Sequence, residues 1–451
     1  MIKKKLVFGI ALLLAFTLAA CSQKYDDERD FLVERIDNKT VKITGYAGLN
    51  EEIRIPPKIQ DMAVTAIAEG AFFDKQLTGV AIPHSVITIG DKAFEKNKLS
   101  SVSIPDNVTA VGRWAFAENQ LSSINFGNSV VTIGGWAFAE NQLASINISN
   151  SVTTIGEEAF KNNKLANVHI GNSVTTIEFA AFAENQLTYV TIPNSVTTIG
   201  ARAFAGNQLN GVNIGNSVSA IGEEAFRNNK LTTVNIPNSV TSIRFAAFAN
   251  NQLSSATLGN GLTVIGGWAF AGNQLTSVII PNSTTTIGEE AFKNNHLTSV
   301  VIPNGVTVIG EEAFTNNQLT SATIGNGVTT IRYAAFSNNQ LTSLTIGNKV
   351  SIIEEEAFAN NLLPNAVIPN SVTTIGEYAF SNNQLASVTI GNGVTAIKYA
   401  AFANNQLISI TIGQNVTVPT SAFDSGFAAY YISQGSVAGN YTFSSNQWSH
   451  D

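Results

Sequence analysis

The side chains here with most capacity for chemistry are paired carboxylates. Glu157-Glu158, Glu223-Glu224, Glu289-Glu290 and Glu311-Glu312 all sit in one local context, Ile-Gly-Glu-Glu-Ala-Phe. Ca²⁺ takes six to eight oxygens, so four carboxylates on neighbouring units could share an ion. The surrounding residues supply no loop to wrap one, and acidic residues at the start of a turn are ordinarily solvated. No metal is assigned. The four histidines, His84, His169, His296 and His450, stand far apart in different contexts, and none lies at metal-ligand spacing from a cysteine or carboxylate. Neither a glycine-rich phosphate loop nor a nucleophile elbow is present. The expectation is a protein without catalysis and without a cofactor.

Aromatic residues occupy the same two positions as the carboxylates. Trp114, Trp136 and Trp268 replace the second polar residue, and Phe179, Phe245, Tyr333 and Tyr399 replace the first. In the latter group the preceding glycine becomes Glu178, Arg244, Arg332 or Lys398. Sister positions are polar, so these rings should stand on the surface, where aromatics and arginine dominate interface energy. Trp114 and Trp136 with Arg113 form the densest group. The rings could instead lie over neighbouring alanine and phenylalanine and thicken the outer layer. A second candidate surface carries Ser100, Ser101, Ser103, Thr232, Thr233 and Asn235, with His169 and Tyr189 as a local patch and Ile279 with Val301 as an apolar spot.

The element that positions all of these is a 22-residue unit, typified by Leu297 to Gln318, LTSVVIPNGVTVIGEEAFTNNQ. Leucine recurs at this interval from Leu77 to Leu407, phenylalanine from Phe72 to Phe402 and asparagine from Asn97 to Asn405. Leu297, Val300 and Ile302 read as a half-buried strand that Pro303 or a glycine ends. Val306 and Ile309 give a second short extended segment. Ala313 and Phe314 should lie in a short helical turn. One unit buries almost nothing. Stacked at about 4.8 Å, sixteen would span roughly 75 Å and share one apolar interior. The recurrent asparagine should satisfy backbone groups left unpaired between coils.

The pattern resembles the BspA-like, treponemal type of leucine-rich repeat. The L-x-x-V-x-I-P strand and the x-x-I-G-x-x-A-F turn carry the resemblance, as in Leu231 to Phe248 and Leu363 to Phe380. It covers the chain from about Phe31 onward. It implies a right-handed, mainly β solenoid with a parallel sheet on one face, short strands and helical turns on the other, and caps at both ends. It also implies a bacterial surface location and adhesion to host proteins, cells or other bacteria.

Residues 1–20 have a basic start, Lys3 to Lys5, then an apolar run, and read as a secretory signal. Leu18-Ala19-Ala20-Cys21 resembles a lipoprotein cleavage box, with acylation at Cys21, the only cysteine. Several acyl chains give stable anchoring. Residues 21–30 read as lipidated cysteine and tether, 31–54 as an N-terminal cap, 55–406 as the solenoid and 407–451 as a last coil and C-terminal cap. Net charge is −7, and loss of the three leader lysines would make it −7 − 3 = −10. The lack of a basic stripe argues against nucleic acid or anionic lipid as a partner. Two functions fit. One is a lipid-anchored surface module that binds an extracellular protein, glycan or bacterial partner. The other is a structural, self-associating envelope protein without a dedicated ligand.

Overall fold

The computed structural model describes residues 24–424 and 426–451. The signal segment and Cys21 lie outside the described residues.

The 22-residue unit folds as one coil of a solenoid. Each coil runs through a front strand, a turn, a rear strand and a second turn. Front strands such as Ser299–Ile302 bury Val300 and Ile302 and expose the residues between them. Rear strands such as Val308–Ile309 are two residues long and bury the isoleucine. Rear strands pair in parallel with both adjacent coils in strict register, Thr154 with Thr176 and Ile155 with Ile177 for example, and front strands pair the same way in smaller groups. The rear strands join the N-terminal strands in one sheet of 19 strands.

Leucine, valine, isoleucine, alanine and phenylalanine columns fill the interior. The phenylalanine rings stack without interruption from Phe72 to Phe423, as in Phe204–Phe226 at 5.4 Å and 4° and Phe402–Phe423 at 4.9 Å and 5°. Phe423 keeps its place in the stack although it comes one residue early in the sequence. The buried asparagine closes the polar account of each coil. Asn229 Nδ2 donates to the Phe204 carbonyl one coil back (2.9 Å) and to the Phe226 carbonyl of its own coil (3.1 Å). Its Oδ1 accepts from the Leu209 N–H at 3.0 Å. A single side chain thus satisfies groups on two coils that water cannot reach.

The turn expected to be helical is a hydrogen-bonded turn that goes no further. Ala225 N–H donates to the Gly222 carbonyl at 3.2 Å, but Phe226 N–H donates to Ala247 of the next coil at 2.8 Å. Intercoil bonding takes the donors a helix would need. The residue between glycine and alanine also takes a left-handed φ, +53° at Glu224, which ends any helical run.

Both ends are capped by antiparallel strands. Phe31–Arg35 pairs with Thr40–Tyr46, and Phe31 and Tyr46 cover the first ring of the stack, Phe72, at 6.3 and 5.8 Å. At the other end Gly439–Ser444 pairs antiparallel with the last front strand, Ser409–Ile412, and Gln447–His450 completes the hairpin. The helix Phe427–Ser433 lays Phe427 against Phe423 at 5.0 Å. Tyr431 is buried there, which pushes its phenol up. Its hydroxyl donates to the Gly413 carbonyl at 2.7 Å and accepts from Val416 N–H at 3.2 Å.

The tether expected over residues 21–30 is docked from Asp26 onward. Asp26 N–H donates to the Arg54 carbonyl (3.1 Å), and Asp26 Oδ1 accepts from the Asn50 amide (2.7 Å). Asp27 caps a 3-10 turn at Glu28–Asp30.

Candidate functional site

The two variable turn positions form a rim along the solenoid, and their backbone explains who sits where. The second position is left-handed in every regular coil, with φ +53° at Trp114, +56° at Trp136 and +57° at Trp268. Where the ring occupies the first position, alanine takes the left-handed one, as at Ala180, Ala246, Ala334 and Ala400. The backbone is fixed by intercoil bonds, such as Trp114 N–H to the Gly135 carbonyl at 2.9 Å, and only the side chain varies.

Trp268, Phe179, Phe245, Tyr333 and Tyr399 are each more than a third exposed, while Trp114 and Trp136 are half-buried. Three of the candidate residues come together. Trp114 and Trp136 stack at 4.8 Å and 10°. The Arg113 guanidinium lies 4.9 and 5.0 Å from their ring centres, and Lys92 lies 5.4 Å from Trp114. Arg113 is held in turn by Glu157 at 4.0 Å, and its N–H donates to Asp91 Oδ1 at 2.8 Å. The other five rings do not join this group, and Lys293 lies 5.9 Å over the Trp268 ring. Tyr399 meets Tyr378 edge to face at 5.4 Å. Tyr378 fills the second position of its coil, so the signal that found Trp268 could have found it.

His169 and Tyr189 are both on the exposed front face, but a break in strand pairing separates them. His169 is in register with Asn147, and Tyr189 with Gly211. The Tyr189 ring lies over Gly211, where a Cβ would approach it to 3.2 Å. His169 borders a shallow polar hollow with Asn128, Asn147 and Asn150.

The second-position glutamates carry their own cations. Lys161 meets Glu158 at 2.7 Å; Arg227 and Arg202 meet Glu224 at 2.7 and 3.0 Å. Lys293 joins Glu290 (2.8 Å) and Glu312 across two coils. Burial pulls the Lys293 ammonium down, but the hydrogen bonds to Glu290 and Glu312 outweigh it and its pKa is raised. Among the described residues no group of three or more His, Cys, Asp or Glu is placed to hold a metal.

The model of the BspA type leucine rich repeat region matches in overlapping stretches at 65–188, 175–298, 242–363, 285–409 and 351–448. No curated protein matches the chain significantly. Among solved structures, the pneumococcal vaccine antigen PcpA is 20% identical, covering 80% of this chain and 91% of its own, with a TM-score of 0.48. A leucine-rich repeat protein from Bacteroides ovatus is 23% identical over 86% of this chain and 88% of its own, with a TM-score of 0.47. A leucine rich cell surface protein from Faecalibacterium prausnitzii is 24% identical over 86% and 95%, with a TM-score of 0.34. The repeat unit, its unbroken register and the family match over most of its length agree: the chain belongs to the BspA type leucine rich repeat family.

Proposed function

We propose that this protein is a bacterial cell-surface lipoprotein, anchored through acylated Cys21, that acts as a non-enzymatic adhesion module. The observation that carries the reading is the rim. The interior is filled by columns of apolar side chains, so ligands are left the outer surface, and there the exposed aromatics replace residues that are polar in sister coils. Solvent-facing aromatics beside arginine are the usual anchors of a protein interface. The partner is an extracellular protein, a glycan or another bacterium. Family membership supports a binding role for the repeats.

The capped ends weigh against the self-associating alternative. The N-terminal hairpin closes the rear sheet and the C-terminal hairpin the front sheet, so neither end offers both sheets for a second copy to continue in parallel register.

Changing Trp114, Trp136 and Trp268 together to Ser should abolish binding of the protein to host matrix proteins, epithelial cells or partner bacteria while leaving the circular dichroism spectrum intact. Retained binding would sink the rim as the site. Labelled palmitate should enter the wild-type protein and not Cys21→Ser, and protease shaving of intact cells should remove the protein.

A further inference from the structure

Two coils read Gly-Gly-Trp, at Gly134-Gly135-Trp136 and Gly266-Gly267-Trp268, and in each case the same positions of the next coil read Gly-Glu-Glu. The missing side chain at the second glycine opens a slot between the first-position side chains of the coils before and after. At Gly135 the protein fills this slot itself. A Cβ there would lie 3.7 Å from the Arg113 guanidinium carbon and 3.7 Å from Glu157 Cβ. The guanidinium stacks near Trp136 at 5.0 Å and meets the Glu157 carboxylate at 4.0 Å.

At Gly267 the first-position cation is missing, and the nearby Lys293, 5.9 Å over the Trp268 ring, is already paired with Glu290 and Glu312. Phe245 stands where Arg113 stood, its Cδ2 3.4 Å from the place of a Gly267 Cβ, and Glu289 takes the part of Glu157 with its Cγ at 2.9 Å. Neither Glu289 nor Glu311 on the next coil has a side-chain hydrogen bond or ion pair among the described residues. A groove of about 290 Å³ opens over these residues, floored by Gly267, Gly288 and Gly310 and ending at Arg332. Arg332 comes within ion-pair distance of neither carboxylate, so the groove holds two carboxylates against one cation.

Phe245 and Glu289 close the space beside Gly267 itself, and we propose that the groove over them receives an arginine side chain from a partner protein. A guanidinium is planar and weakly hydrated. It can lie on the Phe245 ring while its N–H fork reaches Glu289, the two kinds of contact that Arg113 makes in the sister slot. An ammonium offers no flat face and no fork. A bare divalent cation would meet too few oxygens here, and Arg332 would repel it. The proposal rests on the rim being a binding surface and names the chemistry that one part of it recognises.

The test is a titration of the full-length protein with N-acetyl-arginine methylamide, read at the ¹⁵N indole resonance of Trp268, one residue from the slot floor. A saturable shift is expected, about tenfold weaker with the lysine derivative and absent with the glutamine derivative. Glu289→Gln should weaken arginine binding about tenfold. Phe245→Arg should abolish it, because an internal guanidinium then fills the slot, and Phe245→Ala should weaken it with less demand on the fold. Absence of a saturable shift, equal response to lysine, or undiminished binding by Glu289→Gln would overturn the proposal. If the slot fails these tests while the triple tryptophan variant still loses adhesion, the rim reading stands alone. If the slot binds and the triple variant still adheres, that reading fails and the slot survives it.

Discussion

The front and rear sheets are built by the same coils, yet one is continuous and the other is in pieces. The rear strands never lose their neighbours. The front strands pair in groups, Ser101–Ser103 with Ser123–Asn125, Ser145–Asn147 with Asn167–His169, and so on. From Pro105 onward every break falls before a coil whose front strand ends in proline, or in Ser149; a glycine there keeps the coil paired to the one before. Proline has no N–H to extend the ladder, and its ring needs space. Glycine leaves that space: a Cβ on Gly215 would lie 2.4 Å from the Pro193 carbonyl oxygen, and one on Gly259 would lie 2.4 Å from that of Pro237. Pro281 and Pro303 follow one another, so the coil between them loses both partners. Ser277 to Ile280 accordingly forms no strand, and Ile279 is left 86% exposed. One residue at the end of a strand decides whether its sheet continues.

The comparison can be broken first at what the two sheets share. Phe226→Ala should cost about 3–5 kcal/mol, as for other buried aromatics, and lower the denaturation midpoint. Amide exchange should quicken on both sheets of the flanking coils, because coupling runs between nearest neighbours. An unmoved midpoint would mean that the ring column does not hold the coils together. Gly215→Ala tests the front sheet alone. Overpacking against the Pro193 carbonyl should cost about 1–3 kcal/mol and expose the front amides near Gly211–Asn213, with the rear amides at Ala220–Ile221 unchanged.

A smaller effect is expected of Glu95→Gln. This carboxylate is buried at a position that is alanine in many coils, one of its oxygens has no hydrogen-bond partner, and burial raises its pKa. A raised carboxylate pKa favours the protonated folded state, so the stability it allows is present at acid pH and lost as pH rises through the folded value. The variant should therefore be more stable than the parent at pH 7, by about 1 kcal/mol, and the gap should close on acidification; a constant difference would refute this. Smallest of all, Pro303→Gly should restore pairing at Ser277 to Ile280 and slow amide exchange there. Stability should move by less than about 1 kcal/mol, because the unfolded chain gains freedom as the ladder is restored.

Much of this could be read in the sequence because the repeat is strict. Leu, Val, Ile and Phe at fixed intervals leave one way to build an interior, and the asparagine had one plausible use. The break pattern is equally present, but in sequence proline and glycine both read as strand stops; only intercoil distances separate them. The turn stops short of a helix because Phe226 N–H is claimed by Ala247, a contact between coils that local pattern cannot show. At the rim, Trp114, Trp136 and Arg113 were grouped from adjacency along the stack. The cations on Glu158, Glu224 and Glu290 are legible in the sequence, since each follows its glutamate by three residues. The slot over Gly267 depended on seeing what fills the one over Gly135.

The intercoil asparagine has a further consequence. Because each one is anchored by its own coil and the one before, the asparagine contacts are the same at every junction along the middle of the stack. A duplication or deletion of 22 residues there would leave the asparagine column and the ring stack unbroken, and would change the length of the molecule by about 4.8 Å. Such an event would also carry its rim side chains along, inserting or removing one character in the row of surface groups. Lineages can thus edit reach and surface pattern together, by recombination, without having to redesign the interior.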